Sequence, residues 1–185
     1  MKRTSVAPAD VTHAGDNAGG KRWQPWFGLR FFAYLFVGSL AFSLGRLHER
    51  LEPLQAAIAA GAALGARALG TRVQAVGEVI AIGAEAELVI NHECTGVFFL
   101  VIWAAFVLAY PASARQRLLG VAAGVAIIEA VNVARLATLA AIGARWPALF
   151  TYFHEYLWQG AFVLLIALLA VAWRERVERQ HVVSG

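Results

Sequence analysis

The chain has 185 residues, of which 59% are hydrophobic and only 15% charged, and it carries a net charge of +4. A soluble domain of this length has too little interior to hide so much apolar surface, so the bilayer is the expected solvent. The positive charge does not point to nucleic acid, because the Lys and Arg residues stand mainly between apolar blocks and read there as topology signals. The single cysteine, Cys94, cannot close an internal disulfide.

Residues 1–25 are polar and small, with Gly15, Gly19, Gly20 and the Lys21-Arg22 pair, and read as a disordered cytoplasmic lead-in. The first apolar block, Trp26 to Leu47, reads as a retained signal-anchor helix: the lead-in is long and no small-x-small cleavage site follows. In "LEPLQAAIAAGAALGARALGTR", Pro53 suits a helix start. The stretch from Leu54 to Leu69 carries Gln55 and Arg67 and, at 16 residues, is short for a span. It predicts an amphipathic helix lying in the interface or tucked against the bundle. Gly61-x-x-x-Gly65 within it permits close helix packing. "VQAVGEVIAIGAEAELVI" alternates Val, Ile and Leu with polar or small residues, is punctuated by Gly77 and Gly83, and predicts a short β-hairpin. Glu78, Glu85 and Glu87 place that hairpin in water.

Three more apolar blocks follow, Thr95 to Tyr110, Leu118 to Ile142 and Tyr156 to Trp173, joined by loops "PASARQR" and "GARWPALFTYFHE". Trp103, Trp146, Tyr152, Trp158 and Trp173 lie mostly near block ends, as an aromatic belt would. With four spans, Lys2, Arg3, Lys21 and Arg22, then Arg115 and Arg117, then Arg174, Arg176 and Arg179, all fall on one side, which the positive-inside bias makes cytoplasmic. Residues 48–93 then face outward, although Arg50, Arg67 and Arg72 run against that bias. The expected fold is mainly α: a polytopic membrane bundle of about four transmembrane helices, with the amphipathic helix and hairpin on its outer face. Its parts are the lead-in, a membrane domain over 26–175 and a basic cytoplasmic tail over 176–185.

Three polar residues far apart in sequence converge on the outer face in this arrangement. Cys94 sits at or just before a helix N-terminus, where unpaired backbone N–H groups favour an anion and lower a thiol pKa. Thr95 and Gly96 follow it, and the glycine lets the backbone come close to a bound group. A buried cysteine acting only as a small hydrophobe is the plainer alternative. Arg135 lies inside a span, at an insertion cost of about 2.5–3.5 kcal/mol. Glu129, Asn132 and Arg135 form a polar ridge at spacings of three along "EAVNVAR". Glu129 and Arg135 are six apart, which does not favour a direct pair. His154 precedes the last span, and His92, two residues from Cys94, is its rival.

Cys94-Thr95-Gly96 at the start of a span, Asn132-Val133-Ala134-Arg135 within a later one, and His154 before the last resemble the exosortase/archaeosortase family in order and placement. The resemblance runs from about Ala33 to Trp173, and "PALFTYFHEYLWQ" looks most like the short exosortase H type. It implies a cysteine peptidase/transpeptidase with Cys94 as nucleophile, Arg135 stabilising the thiolate or oxyanion, and His154 as acid/base. Thr95, Gly96, Asn132 and Glu129 would support them, with neither cofactor nor metal. Its substrates would be exported proteins that end in a short motif, a transmembrane helix and a basic tail, passed to a lipid or envelope acceptor at the outer face of a bacterial inner membrane. The rival readings are a non-enzymatic assembly factor, with the ridge serving helix association, and a transporter subunit, with the ridge lining a path. Thiol–disulfide exchange is a poor fit, because no second cysteine exists.

Overall fold

The structure, a computed structural model, describes residues 26–44, 51–83 and 86–183. The lead-in with its four basic residues, the last residues of the first apolar block, Arg50 and Glu85 lie outside the described residues. The described chain is a mainly helical bundle with one small sheet. Its order is α1 (Trp26–Leu44), α2 (Glu52–Ala68), β1 (Val73–Val76), β2 (Val79–Ile82), β3 (Ala86–Val89), a 3₁₀ turn (His92–Thr95), α3 (Val97–Ala109), α4 (Ala114–Arg145), α5 (Pro147–Tyr152), a π turn (Phe153–Leu157) and α6 (Trp158–Val183).

Contacts at the helix ends fix which ends meet. The Phe27 ring lies 5.9 Å from Phe106 and 6.3 Å from Tyr110, while Phe42 lies 6.3 Å from His92, so α1 and α3 run antiparallel. The Tyr110 hydroxyl donates to Glu178 Oε1 at 3.1 Å, and Gln116 Nε2 donates to Gln180 Oε1 at 2.8 Å. One end of the bundle therefore gathers the start of α1, the α3–α4 turn and the close of α6, with Arg115, Arg117, Arg174, Arg176 and Arg179. The opposite end carries α2, the sheet, the 3₁₀ turn and α5. α6 runs on through the basic tail, where Val177 is buried.

Among the described residues, three helices are long and apolar enough to cross a membrane: Trp26–Ser43, Ala114–Arg145 and the continuous run Pro147–Gln180. α3 has 13 residues, one turn less than its apolar block, because His92 to Gly96 are taken up by the 3₁₀ turn and a left-handed glycine. At 1.5 Å per residue it spans about 20 Å, against a hydrocarbon core of about 30 Å. The turn that carries Cys94 is thus recessed relative to the longer helices. The segment read as the loop "GARWPALFTYFHE" is instead mostly helical, from Pro147 onward: proline starts α5 at its first position, and the π turn joins it to α6 without a break.

The amphipathic helix is tucked against the bundle. α2 buries Ile58, Ala59, Ala62, Ala63 and Ala66 against α4 and the sheet. A Cβ on Gly61 would meet Val133 at 3.3 Å and one on Gly65 would meet Ala137 at 2.8 Å, so the Gly-x-x-x-Gly spacing is a helix-packing seam. The expected hairpin is a three-stranded antiparallel sheet in the order β1-β2-β3. Val73 pairs with Ile82, and Val79 with Val89. Two glycines with positive φ, Gly77 at 59° and Gly83 at 66°, each mark a reversal, and two reversals make three strands.

The aromatic-belt expectation fails for two residues. Trp103 and Trp173 lie inside the bundle, with Val107, Ile128, Phe162 and Val177, while Trp146 and Tyr152 are exposed. Gly120 and Gly124 on α4 make room for those two indoles, and Trp103 Nε1 donates to the Gly120 carbonyl at 3.0 Å. A Cβ on Gly124 would overlap the Trp103 ring. Gly124→Ala is therefore expected to separate α3 from α4 and cost about 2–3 kcal/mol, the upper range for overpacking. An unchanged thermal melt of the detergent-solubilised variant would contradict this packing.

Candidate active site

Asn91 starts the turn that holds Cys94. Its side-chain Oδ1 accepts from the Cys94 backbone N–H at 3.1 Å, and its carbonyl accepts from the same group at 3.0 Å. Thr95 is fully buried and its hydroxyl donates to the His92 carbonyl at 2.6 Å. Gly96 leaves the turn at φ 71°, a conformation costly for any side chain, and its own carbonyl accepts from the Phe99 and Leu100 amides in the first turn of α3. A Cβ there would lie 3.2 Å from Glu129 Oε1 and 3.4 Å from the Asn132 amide, so the turn rests directly on the polar ridge of α4. From the other side, Gln55 of α2 accepts from the His92 backbone N–H at 3.0 Å and donates to Glu78 at 3.1 Å, with its amide in the orientation that satisfies both.

The ridge meets the turn through hydrogen bonds. Asn132 Nδ2 donates to the Cys94 carbonyl at 2.8 Å, and Arg135 Nη1 donates to Asn132 Oδ1 at 3.4 Å. Asn132 is fully buried and Arg135 only 8% exposed. No ion pair joins Glu129 and Arg135 among the described residues, as their spacing implies, and neither Glu129 oxygen makes a hydrogen bond of good geometry. Arg135 keeps Nε without a partner, and its guanidinium lies 5.8 Å from the centroid of the Phe162 ring.

A cavity of about 620 Å³ opens beside this cluster, between α1, α3 and the π turn with α6. Arg135, His154 and Glu155 border it together with His92 and Glu93, and Phe98, Val101 and Phe162 continue it in apolar form. His154 stands on the π turn with its ring stacked on Phe150, centroids 5.7 Å apart; π turns recur at functional positions because they re-aim side chains within a helix. The cavity thus gathers Arg135 and both rival histidines. Cys94 itself, 8% exposed, is not a wall residue, but Glu93 and Val97, which bracket the Cys94-Thr95-Gly96 element, are.

Burial pushes the Cys94 thiol above its ordinary pKa, and the neighbouring Arg135 charge and the Asn91 backbone offset only part of that. The lowered pKa expected from a helix N-terminus does not survive desolvation: a thiolate loses more by leaving water than the nearby positive groups return. The resting residue is a thiol.

Sequence reasoning passed over Asn91, Glu155, Gln159 and Phe162. Asn91 had a signal, an Asn directly before a short turn that a glycine ends. The others have none, because they reach the cavity only through the course of the π turn and α6.

A family model described as "Transmembrane exosortase (Exosortase_EpsH)" matches residues 21–173. No curated protein and no solved structure matches the chain. The match covers the Cys94 turn, the α4 ridge, the π turn and every described span but the end of α6, and the chain belongs to the transmembrane exosortase family.

Proposed function

We propose that this multi-pass membrane protein is a cysteine transpeptidase that cuts the C-terminal sorting signal of exported proteins and passes them to an envelope acceptor. The observation that carries this reading is that Arg135 and His154 border one cavity with Glu93 and Val97, the residues that bracket Cys94-Thr95-Gly96.

In the proposed reaction His154 takes the Cys94 proton, and the sulfur attacks the scissile carbonyl carbon. The carbonyl oxygen becomes an oxyanion held by Arg135, whose side chain borders the cavity. The C–N bond breaks, His154 returns the proton to the leaving amine, and the substrate remains as a thioester on Cys94. An acceptor amine or water then attacks the thioester, giving up its proton through His154 to the departing thiol. The recessed turn suits a substrate tethered by its own membrane helix, whose cleavage point lies where its polar and apolar parts meet. With the basic ends cytoplasmic, by the positive-inside bias, the reaction faces outward across the inner membrane.

The test is co-expression with an exported reporter ending in a motif, a transmembrane helix and a basic tail. His154→Ala is expected to slow release of the tail about 100- to 1000-fold, the usual contribution of a general acid/base, while His92→Ala leaves it near the wild-type rate. A dead His92 variant beside an active His154 variant would move the acid/base to the histidine nearest the cysteine.

A further inference from the structure

We infer that Asn132 is the positioning residue of this site: one planar side-chain amide holds the nucleophile's turn through its nitrogen and aims the Arg135 guanidinium through its oxygen. The inference rests on the transpeptidase reading for its purpose, though not for its geometry.

Asn132 Nδ2 donates to the carbonyl of Cys94 at 2.8 Å, and Oδ1 accepts from Arg135 at 3.4 Å. Asn132 is fully buried, so its two bonds are shielded from competing water. A planar amide fixes the angle between donor and acceptor, so a shift of the Cys94 turn is transmitted to the guanidinium and the reverse. Among the described residues, the other backbone bonds of Cys94 stay within its own turn, through Asn91. Among the described residues no ion pair holds Arg135, and Glu129 makes none with it. The charged and titratable groups around the thiol are Glu93 on its own turn, Arg135 and Glu129 on α4, His92 on the turn and His154 and Glu155 on the π turn. Of these, Arg135 is the one that favours the thiolate, and Asn132 is the group that holds it in place.

The test uses Asn132→Leu, which keeps the shape, removes both bonds and adds no charge, in the full-length protein in membranes. Cys94 is the only cysteine, so alkylation by iodoacetamide reports it alone. The pH midpoint of alkylation is expected to rise, slowing the reaction at neutral pH about tenfold, the factor for a midpoint one pH unit higher. Cleavage of the reporter should fall about a hundredfold, as for a reacting group misplaced by about 1 Å. In an Arg135→Gln background the same change should move the midpoint no further, because Asn132 acts through Arg135. A purely structural role would lower abundance or melting temperature and leave the midpoint in place. A wild-type midpoint in Asn132→Leu overturns the inference, and if that variant does not accumulate, Asn132→Ala is read by the same criterion. A raised midpoint alongside normal processing by Cys94→Ala would uphold the positioning and sink the transpeptidase instead.

Discussion

Cys94→Ala is expected to reach the membrane at wild-type abundance and to leave the sorting-signal reporter wholly uncleaved. The turn's own bonds make this separation clean. Its contacts with Asn91 and Asn132 run through the Cys94 backbone N–H and carbonyl, not through sulfur, so alanine keeps them. Losing one buried sulfur from a small pocket costs about 1 kcal/mol of packing, too little to unfold a bundle of this size. Cys94→Ser should be nearly as inactive. A hydroxyl ionises far less readily than a thiol, and the burial that already pushes Cys94 up acts on any anion there. Reporter cleavage and membrane abundance, measured together, check both. Full processing by the alanine variant would leave a membrane assembly factor or a transporter subunit as the better account of the polar ridge.

Arg135→Lys is expected to lose about 2–4 kcal/mol of transition-state stabilisation, the scale set by removing an oxyanion donor. Lysine keeps the charge but not the planar, multi-donor fork, which places one N–H on Asn132 while the residue borders the cavity. It also forfeits the guanidinium's place over the Phe162 ring. Were Arg135 only a diffuse charge favouring the thiolate, lysine would retain most of the rate. Were it a structural partner of Glu129, Arg135→Gln would deplete the protein and the added Glu129→Gln would restore it. The missing ion pair between them predicts instead that Arg135→Gln is abundant and inactive. Normal cleavage by an abundant Arg135→Gln protein would remove Arg135 from the site.

Much of this was legible because the bilayer punishes ambiguity. An arginine in "EAVNVAR" is costly enough in lipid to need a reason, and a spacing of three puts Asn132 and Arg135 on one helix face in any α-helix. The glycine seam at Gly61 and Gly65 was visible as spacing, and α4 supplied its partner. The sheet was read one strand short, although both of its glycine reversals stood in the sequence.

Composition, helical period and the placement of basic residues determined by themselves that the chain is a membrane bundle with its arginine clusters gathered at one end, because these depend on local periodicity and on transfer energies summed residue by residue. Only the tertiary structure decided that Trp103 and Trp173 are interior rather than interfacial, since that turns on the space left by Gly120 and Gly124 of another helix. It alone decided that the residues before His154 are helical, and that Cys94 is a buried thiol rather than a helix-stabilised thiolate. The reason is the same in each case: burial is set by which surfaces meet, and desolvation at such a meeting outweighs what a residue's own segment prefers.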